Sequence, residues 1–328
     1  MNAVQPLRVG CVGGGFIAGR HLAGLSRLPG VEVVAVADTA VDRAEATANR
    51  YGATPYADGL VLLETEELDA VWLCVPPFAH GPLEQAALAR DLPFFVEKPL
   101  ASDAGTARRI AEEVASRGLL TAVGYHWRYL HVVEEALRCA QEARPHLVLG
   151  SWLDTTPAPA WWSRRAGSGG QLVEQTTHLF DLARLLAGEV ETVQAVEAAC
   201  ARDDGDAADV PTASTVMLGF RSGAVGSISS ARVLDARYRV DLRLVCDGRV
   251  VELRERSLND HELRVWGAGP EQVVQSEQDP IAAEDQAFVA ALRGESAQVR
   301  VPYEEAFLTH ALVCAADDAA RAAAGDRA

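Results

Sequence analysis

The sequence predicts an α/β fold with two domains: a doubly wound parallel sheet, then an α+β domain built on an open, mainly antiparallel sheet. Apolar strand-like runs alternate with helix-like runs through the first third of the chain, and a glycine-rich turn joins the first strand to the first helix. After Gly124 the later strands follow one another at hairpin spacing. We therefore expect domains at residues 1–124 and 125–328.

In the first domain each predicted element has a recognisable end. Strand Val31–Ala37 is followed by Asp38, helix Val41–Tyr51 by Gly52, and a buried strand at 69–75 by Pro76. The remaining predicted elements are a helix at 83–89, a strand at 93–96, a helix at 102–116 and a strand at 119–123. Strands that are continuous apolar runs indicate a parallel sheet covered on both faces.

In the second domain the predicted strands follow one another instead of alternating with helices. A single long helix is predicted at 170–187, and two more helices at 283–292 and 304–324 end the chain. Between them the predicted strands are 192–199, 214–220, 223–231, 238–246, 249–253 and 262–266. Short turns such as Asp247-Gly248 join these strands, which is typical of an antiparallel sheet.

Composition narrows the range of functions. The chain has 328 residues, is 49% hydrophobic and carries a formal net charge of −16, so it is long and apolar enough for two cores. Because phosphate binding requires clustered lysine and arginine, the acidic balance disfavours nucleic acid and anionic membrane surfaces as partners. No run approaches the roughly 20 apolar residues of a membrane-spanning helix, so no membrane insertion is expected.

Cysteine and histidine spacing argues against a metal or disulfide framework. The six cysteines are scattered without a C-x-x-C pair, and His261-Glu262 lacks the second histidine of H-E-x-x-H because Val265 stands there. The opening residues show no signal-peptide pattern. We expect a cytoplasmic protein with no bound metal.

The first strand–turn–helix carries a dinucleotide-binding pattern, G-x-G-x-x-A, formed by Gly13, Gly15 and Ala18. The glycines permit the tight turn and close approach of the backbone to a pyrophosphate, and Ala18 permits close helix–strand packing. The next strand ends in Asp38, about 20 residues further on as the pattern requires. The Asp38 carboxylate can accept both ribose hydroxyls and would repel a 2′-phosphate, which favours NAD over NADP unless Arg43 folds back. A simple strand-end turn is the alternative interpretation of Asp38.

Two segments carry acid–base candidates. Glu97 and Lys98 stand at the C-terminal end of a predicted buried strand, where parallel sheets bind ligands, although such a pair is commonly a solvated loop. Glu174, His178 and Asp181 are spaced four and three apart and share one face of the predicted helix 170–187. An acid one turn before a histidine is a general-base arrangement, but spacing alone favours a solvent-facing helix surface.

Taken together, these segments resemble the Gfo/Idh/MocA family, oxidoreductases related to glucose–fructose oxidoreductase and inositol dehydrogenase. The resemblance covers nearly the whole chain. Its motifs are the fingerprint at 13–18 with His21, Asp38, the triplet Glu97-Lys98-Pro99, Gly124 through Arg128, and Gly169-Gly170 followed by Glu174, His178 and Asp181. The E-K-P triplet is specific when combined with the nucleotide fingerprint.

The resemblance implies a Rossmann domain and an NAD-dependent dehydrogenase. His178 would accept the hydroxyl proton, Lys98 would hydrogen-bond the same oxygen, and Glu174, standing where the family usually has aspartate, would orient His178. The implied cofactor-binding residues are Gly13, Gly15, Phe16, Ile17, Asp38, Val75, Pro77, Glu97 and Lys98. The implied substrate-binding residues, from a looser match, are Arg128, Trp162 and Arg165.

The implied substrate is a secondary alcohol or ketone of a cyclic polyol or sugar derivative. A homodimer or homotetramer is also implied, because an open sheet leaves one face to be covered. Two alternatives stay open from the sequence: a redox-neutral enzyme that uses tightly held NAD for glycosidic elimination, and a nucleotide-sensing regulatory protein without catalysis.

Overall fold

The computed structural model describes residues 5–199, 208–267, 269–295 and 299–325. The chain forms two compact units. Unit 1 comprises Met1–Ala101, Gly105–His126 and Ile281–Phe307, and unit 2 comprises Ser102–Ala104, Trp127–Pro280 and Leu308–Ala328. The sequence-based division at residue 124 groups 281–307 with the second domain, whereas the structure groups these residues with unit 1.

Strands and helices are numbered separately along the chain. The strands are β1 (Leu7–Val12), β2 (Val31–Ala37), β3 (Thr54–Tyr56), β4 (Ala70–Leu73), β5 (Phe94–Val96), β6 (Thr121–Val123), β7 (Pro145–Leu153), β8 (Val190–Glu197), β9 (Ala213–Phe220), β10 (Val225–Ala231), β11 (Arg239–Cys246), β12 (Arg249–Ser257), β13 (Asp260–Trp266) and β14 (Gln272–Ser276). The helices are α1 (Phe16–Leu25), α2 (Val41–Tyr51), α3 (Gly59–Thr65), α4 (Pro82–Ala89), α5 (Ala104–Arg117), α6 (His131–Glu142), α7 (Arg165–Ser168), α8 (Gln171–Glu174), α9 (Thr177–Ala187), α10 (Pro280–Leu292) and α11 (Tyr303–Gly325).

Unit 1 contains a six-stranded sheet in the order β3-β2-β1-β4-β5-β6. Every neighbouring pair in it is parallel, which confirms the predicted doubly wound sheet. The order of connections reverses between β1 and β4, and open parallel sheets bind ligands at the carboxyl ends of the strands at such a point. The loops that follow β1 and β4 therefore frame the predicted nucleotide site.

Aromatic packing closes the core of unit 1. Every residue of β4 and β5 is buried, as their unbroken apolar sequences predict. The Trp72 ring stacks on Phe95 at a centroid distance of 6.0 Å and meets Phe288 edge-on at 5.3 Å. Because Phe288 belongs to α10, this late helix completes the core of the first sheet.

Unit 2 contains an eight-stranded sheet in the order β14-β13-β12-β11-β7-β10-β9-β8. Only the β7–β10 pair is parallel among the described pairings, which confirms a mainly antiparallel sheet. The central strand β7 was not predicted from the sequence, because Pro145 at its start and Gly150 inside it both weaken a strand signal. Within the described residues no helix has both the length and the apolar character needed to cross a bilayer.

Candidate active site

The turn between β1 and α1 depends on glycine and leaves open space in front of the helix. Gly13 has a φ of +101°, and a Cβ there would lie 2.1 Å from the Cys74 carbonyl oxygen, so no other residue fits. A Cβ on Gly15 would meet no heavy atom within 4 Å. The N-terminal amides of α1 therefore have room for a pyrophosphate, which the helix dipole also favours.

Asp38 follows β2 and faces this turn. Its Oδ2 accepts hydrogen bonds from Gly14 N at 2.8 Å and Arg43 Nε at 2.7 Å, and its Oδ1 accepts from Ala40 N at 2.8 Å and Arg43 Nη2 at 2.7 Å. Burial opposes the negative charge, but the hydrogen bonds from Arg43, Ala40 and Gly14 outweigh it and lower the pKa of Asp38. Asp38 is therefore a fixed carboxylate beside the glycine turn, and Arg43 does fold back onto it. Each oxygen already accepts two hydrogen bonds, so ribose hydroxyls would take the place of the Arg43 donors.

The other predicted cofactor residues lie on the loops at the same edge of the sheet. Phe16 opens α1 with 77% of its surface exposed, and Ile17 beside it is partly buried. Val75 follows β4, and Pro77 begins a short 3₁₀ turn, Pro77–Ala79. An apolar side chain exposed as fully as Phe16 fits a cofactor ring better than water.

Lys98 stands at the carboxyl end of β5 on an anchored backbone. Its amide donates to Glu97 Oε2 at 3.0 Å, and the following peptide bond, to Pro99, is cis. Glu97 is buried, whereas Lys98 is partly exposed. Lys98 is also the only lysine in the whole sequence, in which every other cationic side chain except histidine is arginine. Position 98 is therefore the only one in the sequence whose side chain ends in an ammonium group.

The predicted helix 170–187 is wrong as a single element. Gly169 and Gly170 have φ values of +75° and +92°, α8 ends at Glu174, and α9 begins at Thr177. Gln171 O accepts from both Gln175 N at 3.1 Å and Thr176 N at 3.0 Å, which inserts one extra residue into the turn. The regular helix that the predicted four-residue spacing of Glu174 and His178 assumes is therefore interrupted between these two residues.

His178 lies against two tryptophan rings in unit 2. Its ring is nearly parallel to Trp127, at 5.9 Å and 14°, and to Trp152, at 6.1 Å and 15°. His178 is 4% exposed and Asp181 1% exposed, so the solvent-facing interpretation of this helix is wrong. At these centroid distances the nearly parallel rings are offset, so each indole stacks on the imidazole only in part.

The polar surroundings of this aromatic pair form a connected network. Trp127 Nε1 donates to Glu255 Oε2 at 2.9 Å, and Arg237 pairs with both Glu255 and Asp154. The Arg237 guanidinium also lies 5.8 Å from the centroid of the Trp152 ring. These contacts fix both indoles, and through them the plane of His178.

The remaining site candidates have protein partners. The Glu174 carboxylate accepts from Trp162 Nε1 at 2.6 Å, and Trp162 is 1% exposed. Arg128 donates to both oxygens of Asp181, each at 2.7 Å. Arg165 pairs with Glu197 at 2.6 Å and with Asp317. These contacts give Arg128 and Arg165 structural roles, and their contact with substrate stays a prediction.

Several contacts at these sites could not be predicted from the sequence. His21 is named by the family resemblance, but its partner Asp285 is 264 residues away in α10. Trp152 belongs to the missed strand β7, and Trp127 carried no signal beyond its place in the Gly124–Arg128 motif. No local pattern reports such contacts, since they depend on how distant elements pack.

The fold and the nucleotide-binding edge define an NAD-binding oxidoreductase. A family model described as "Oxidoreductase family, NAD-binding Rossmann fold" matches residues 7–125, and the GFO/IDH/MocA C-terminal domain matches residues 141–252. The chain belongs to the GFO/IDH/MocA family of oxidoreductases, which confirms the resemblance.

Similar proteins share most of the chain. A myo-inositol 2-dehydrogenase from Thermotoga maritima is 31% identical over 73% of this chain and 72% of its own length. An inositol 2-dehydrogenase from Saccharopolyspora erythraea is 29% identical over 80% and 78%. The WlbA dehydrogenase from Bordetella pertussis, solved with NADH and UDP-GlcNAcA, has a TM-score of 0.85 at 22% identity over 97% and 98% of the two chains. That last likeness shows the shared fold.

Proposed function

We propose that this protein catalyses the reversible NAD-dependent oxidation of a secondary alcohol in a cyclic polyol or sugar derivative. The observation that carries the proposal is the match of about three quarters of the chain to proteins named inositol 2-dehydrogenases. Lys98 at the end of β5 and His178 in α9, the two residues that the family resemblance makes catalytic, are both present.

The residues divide the chemistry between them. Gly13, Gly15 and Asp38 hold NAD, which supplies the acceptor for the hydride leaving the carbinol carbon. His178 accepts the hydroxyl proton as the general base. The Lys98 ammonium donates a hydrogen bond to the same oxygen and stabilises the negative charge that develops on it.

Glu174 keeps in this proposal the role that the resemblance gives it, which is to orient His178. Its carboxylate also accepts a hydrogen bond from the Trp162 indole, which fixes the position of Glu174. The protein then contributes position and electrostatics, and the cofactor contributes the redox chemistry.

A direct assay tests the proposal. Purified protein is mixed with NAD, and then with NADP, against inositols, aldoses and sugar acids, and nicotinamide absorbance is followed. Reduction of NAD by a cyclic polyol is the expected result. NADH binding without turnover on any member of the panel would contradict it and favour the redox-neutral or sensing alternatives.

Asp38→Ala is expected to change cofactor preference. Loss of the carboxylate removes the acceptor for the ribose hydroxyls and frees Arg43 for a 2′-phosphate. The ratio of kcat/KM with NADP to that with NAD should rise at least tenfold, since a charged hydrogen bond contributes roughly 1.5–3 kcal/mol. Asp58→Ala is the matched control, because Asp58 accepts from Leu60 N and caps α3. An unchanged ratio in Asp38→Ala would remove Asp38 from the cofactor site.

We also propose a cytoplasmic homodimer or homotetramer. The support is an apolar group on the sheet of unit 2, where Val196 in β8, Met217 in β9 and Val225 in β10 are 51%, 55% and 57% exposed. Neighbouring strands carry them, so a second subunit covering this sheet would bury all three. Light scattering of the purified chain measures the assembly.

A further inference from the structure

A buried network of three side chains, His21, Asp285 and Glu97, adjoins Lys98 in unit 1. The proposed mechanism does not use this network. His21, on α1, is fully buried. Its Nδ1 lies 2.8 Å from Asp285 Oδ1, and its Nε2 lies 3.0 Å from Glu97 Oε1. An ionised carboxylate can only accept hydrogen bonds, so both ring nitrogens donate when His21 is an imidazolium.

Both carboxylates are fixed by further contacts. Trp72 Nε1 donates to Asp285 Oδ1 at 2.9 Å, and the Lys98 amide donates to Glu97 Oε2 at 3.0 Å. A Cβ on Gly124 would lie 2.8 Å from the Glu97 carboxylate, so that carboxylate rests against bare backbone. One Glu97 oxygen thus faces His21 while the other holds the backbone of Lys98.

The charges in this network favour the protonated form of the His21 ring. Burial opposes the positive charge, but the charge and hydrogen bond of Asp285, together with those of Glu97, outweigh it and raise the pKa of His21 well above its ordinary value. Burial likewise opposes ionisation of Glu97, yet His21 lowers the pKa of Glu97 overall. Burial also raises the pKa of Asp285, against the opposing effects of the His21 charge and of the hydrogen bonds from His21 and Trp72. A cation between two carboxylates is the arrangement that offsets desolvation in a buried site.

Other ionisable groups lie close to the same network of side chains. The charges of Lys98 and His126 also lower the pKa of Glu97. The Cys74 thiol has a raised pKa, mainly through its hydrogen bond with Cys11, and so stays neutral. His21, Glu97 and Glu284 each have a donor atom within 4.8 Å of the others, a spacing that would also suit a cation. The His21 nitrogens already face Asp285 and Glu97, which favours protons over a metal.

We infer that Asp285, His21 and Glu97 form a charged relay that positions Lys98, with His21 held as an imidazolium. The role in catalysis rests on the proposed function, whereas the protonation state and the positioning do not. The Asp285→Asn variant tests the protonation state of His21 and the positioning of Lys98 separately from the role in catalysis. The amide oxygen that this substitution introduces would accept one N–H from a neutral ring, leaving the Nε2 lone pair against Glu97. The Glu97 contact would then need a second proton, which is available only at lower pH.

Lysine-selective isotope labelling gives the readout. Because Lys98 is the only lysine, one backbone amide signal reports its position. Between about pH 6 and pH 8, around the ordinary histidine pKa, this signal should stay constant in the parent and titrate in Asp285→Asn. Both His21 ring nitrogens should carry protons in the parent at pH 8. If Asp285→Asn does not fold, His21→Gln, whose amide does not titrate, should give a displaced but pH-independent Lys98 signal.

Activity provides the second arm. The kcat of Asp285→Asn relative to that of the parent should rise about tenfold from pH 8 to pH 6, since the added proton restores the His21–Glu97 contact. Trp72→Phe is the control, because it removes only a neutral hydrogen-bond donor from the Asp285 carboxylate. The kcat of Trp72→Phe relative to that of the parent should therefore not depend on pH. A neutral His21, a constant Lys98 signal in Asp285→Asn, or one equivalent of divalent metal in the purified protein would overturn the inference. Absence of dehydrogenase activity would overturn only the proposed function, because the spectroscopic results would stand.

Discussion

Lys98→Met is expected to lower kcat by about two to three orders of magnitude, the usual cost of removing one donor to a developing oxyanion. Methionine has a similar unbranched stem without the charge, so packing around the stem is kept. The backbone of residue 98 is held by Glu97 Oε2 in either case. NADH affinity should fall far less than kcat, because Lys98 is only one of the implied cofactor-binding residues and the glycine turn and Asp38 stay intact.

Lys98→Arg separates the need for a charge from the need for an ammonium group. The chain uses arginine at all its other non-histidine cationic positions, so a requirement for charge alone would be met by arginine at position 98 as well. A guanidinium is a broad planar fork, whereas an ammonium is a compact point donor. We therefore expect Lys98→Arg to lose most of the activity too. Turnover in Lys98→Met within a few-fold of the parent would refute the role of Lys98.

Steady-state kinetics with a substrate identified by the panel measures these effects. NADH fluorescence titration on the same preparations provides the binding control. Arg90→Met is a matched control. Arg90 lies exposed at the C-terminal end of α4 and donates to the Leu63 carbonyl. The substitution removes a cation there and leaves residues 97 to 99, which follow β5, unchanged. Its turnover should equal that of the parent.

The features of the nucleotide-binding edge could be predicted from the sequence because local signals encode them. Gly13 needs a positive φ and sits against the Cys74 carbonyl, and Asp38 ends the next strand. Arg43, which pairs with Asp38, is five residues further on. The glycine turn and the Asp38–Arg43 pair each depend on a short stretch of chain, set in an alternation of apolar runs and helical patterns that predicts buried strands.

The surroundings of the acid–base candidates could not be predicted in the same way. Helical spacing placed Glu174 one turn before His178 in one regular helix, whereas positive φ at Gly169 and Gly170 precedes a helix that is interrupted near Thr176. The two indoles around His178 come from distant elements, one of them the missed strand β7. Periodicity reports which residues share a face of a regular helix, and it reports nothing where the helix is interrupted.

His178→Gln is the second large effect, with turnover expected to fall by about two to four orders of magnitude, the usual contribution of a positioned general base. Glutamine keeps a planar polar group beside Trp127 and Trp152, whose ring centroids lie 5.9 and 6.1 Å from that of the histidine. Its amide cannot accept a proton near neutral pH, so substrate binding should persist while proton transfer fails. KM should therefore change far less than kcat.

The pH profile separates a general base from a packing residue. Parent kcat should rise with pH, as a reaction that needs an unprotonated general base requires, and this rise should be absent in His178→Gln. His146→Gln is the control, since His146 is an exposed histidine of the same unit whose ion pair with Asp247 contributes at most about 1 kcal/mol. Trp152→Phe, which keeps an aromatic face on the imidazole, should lower kcat only several-fold and retain the rise. A His178→Gln profile with the same rise as the parent would show that another group takes the proton, and that His178 only fills the space beside the indoles.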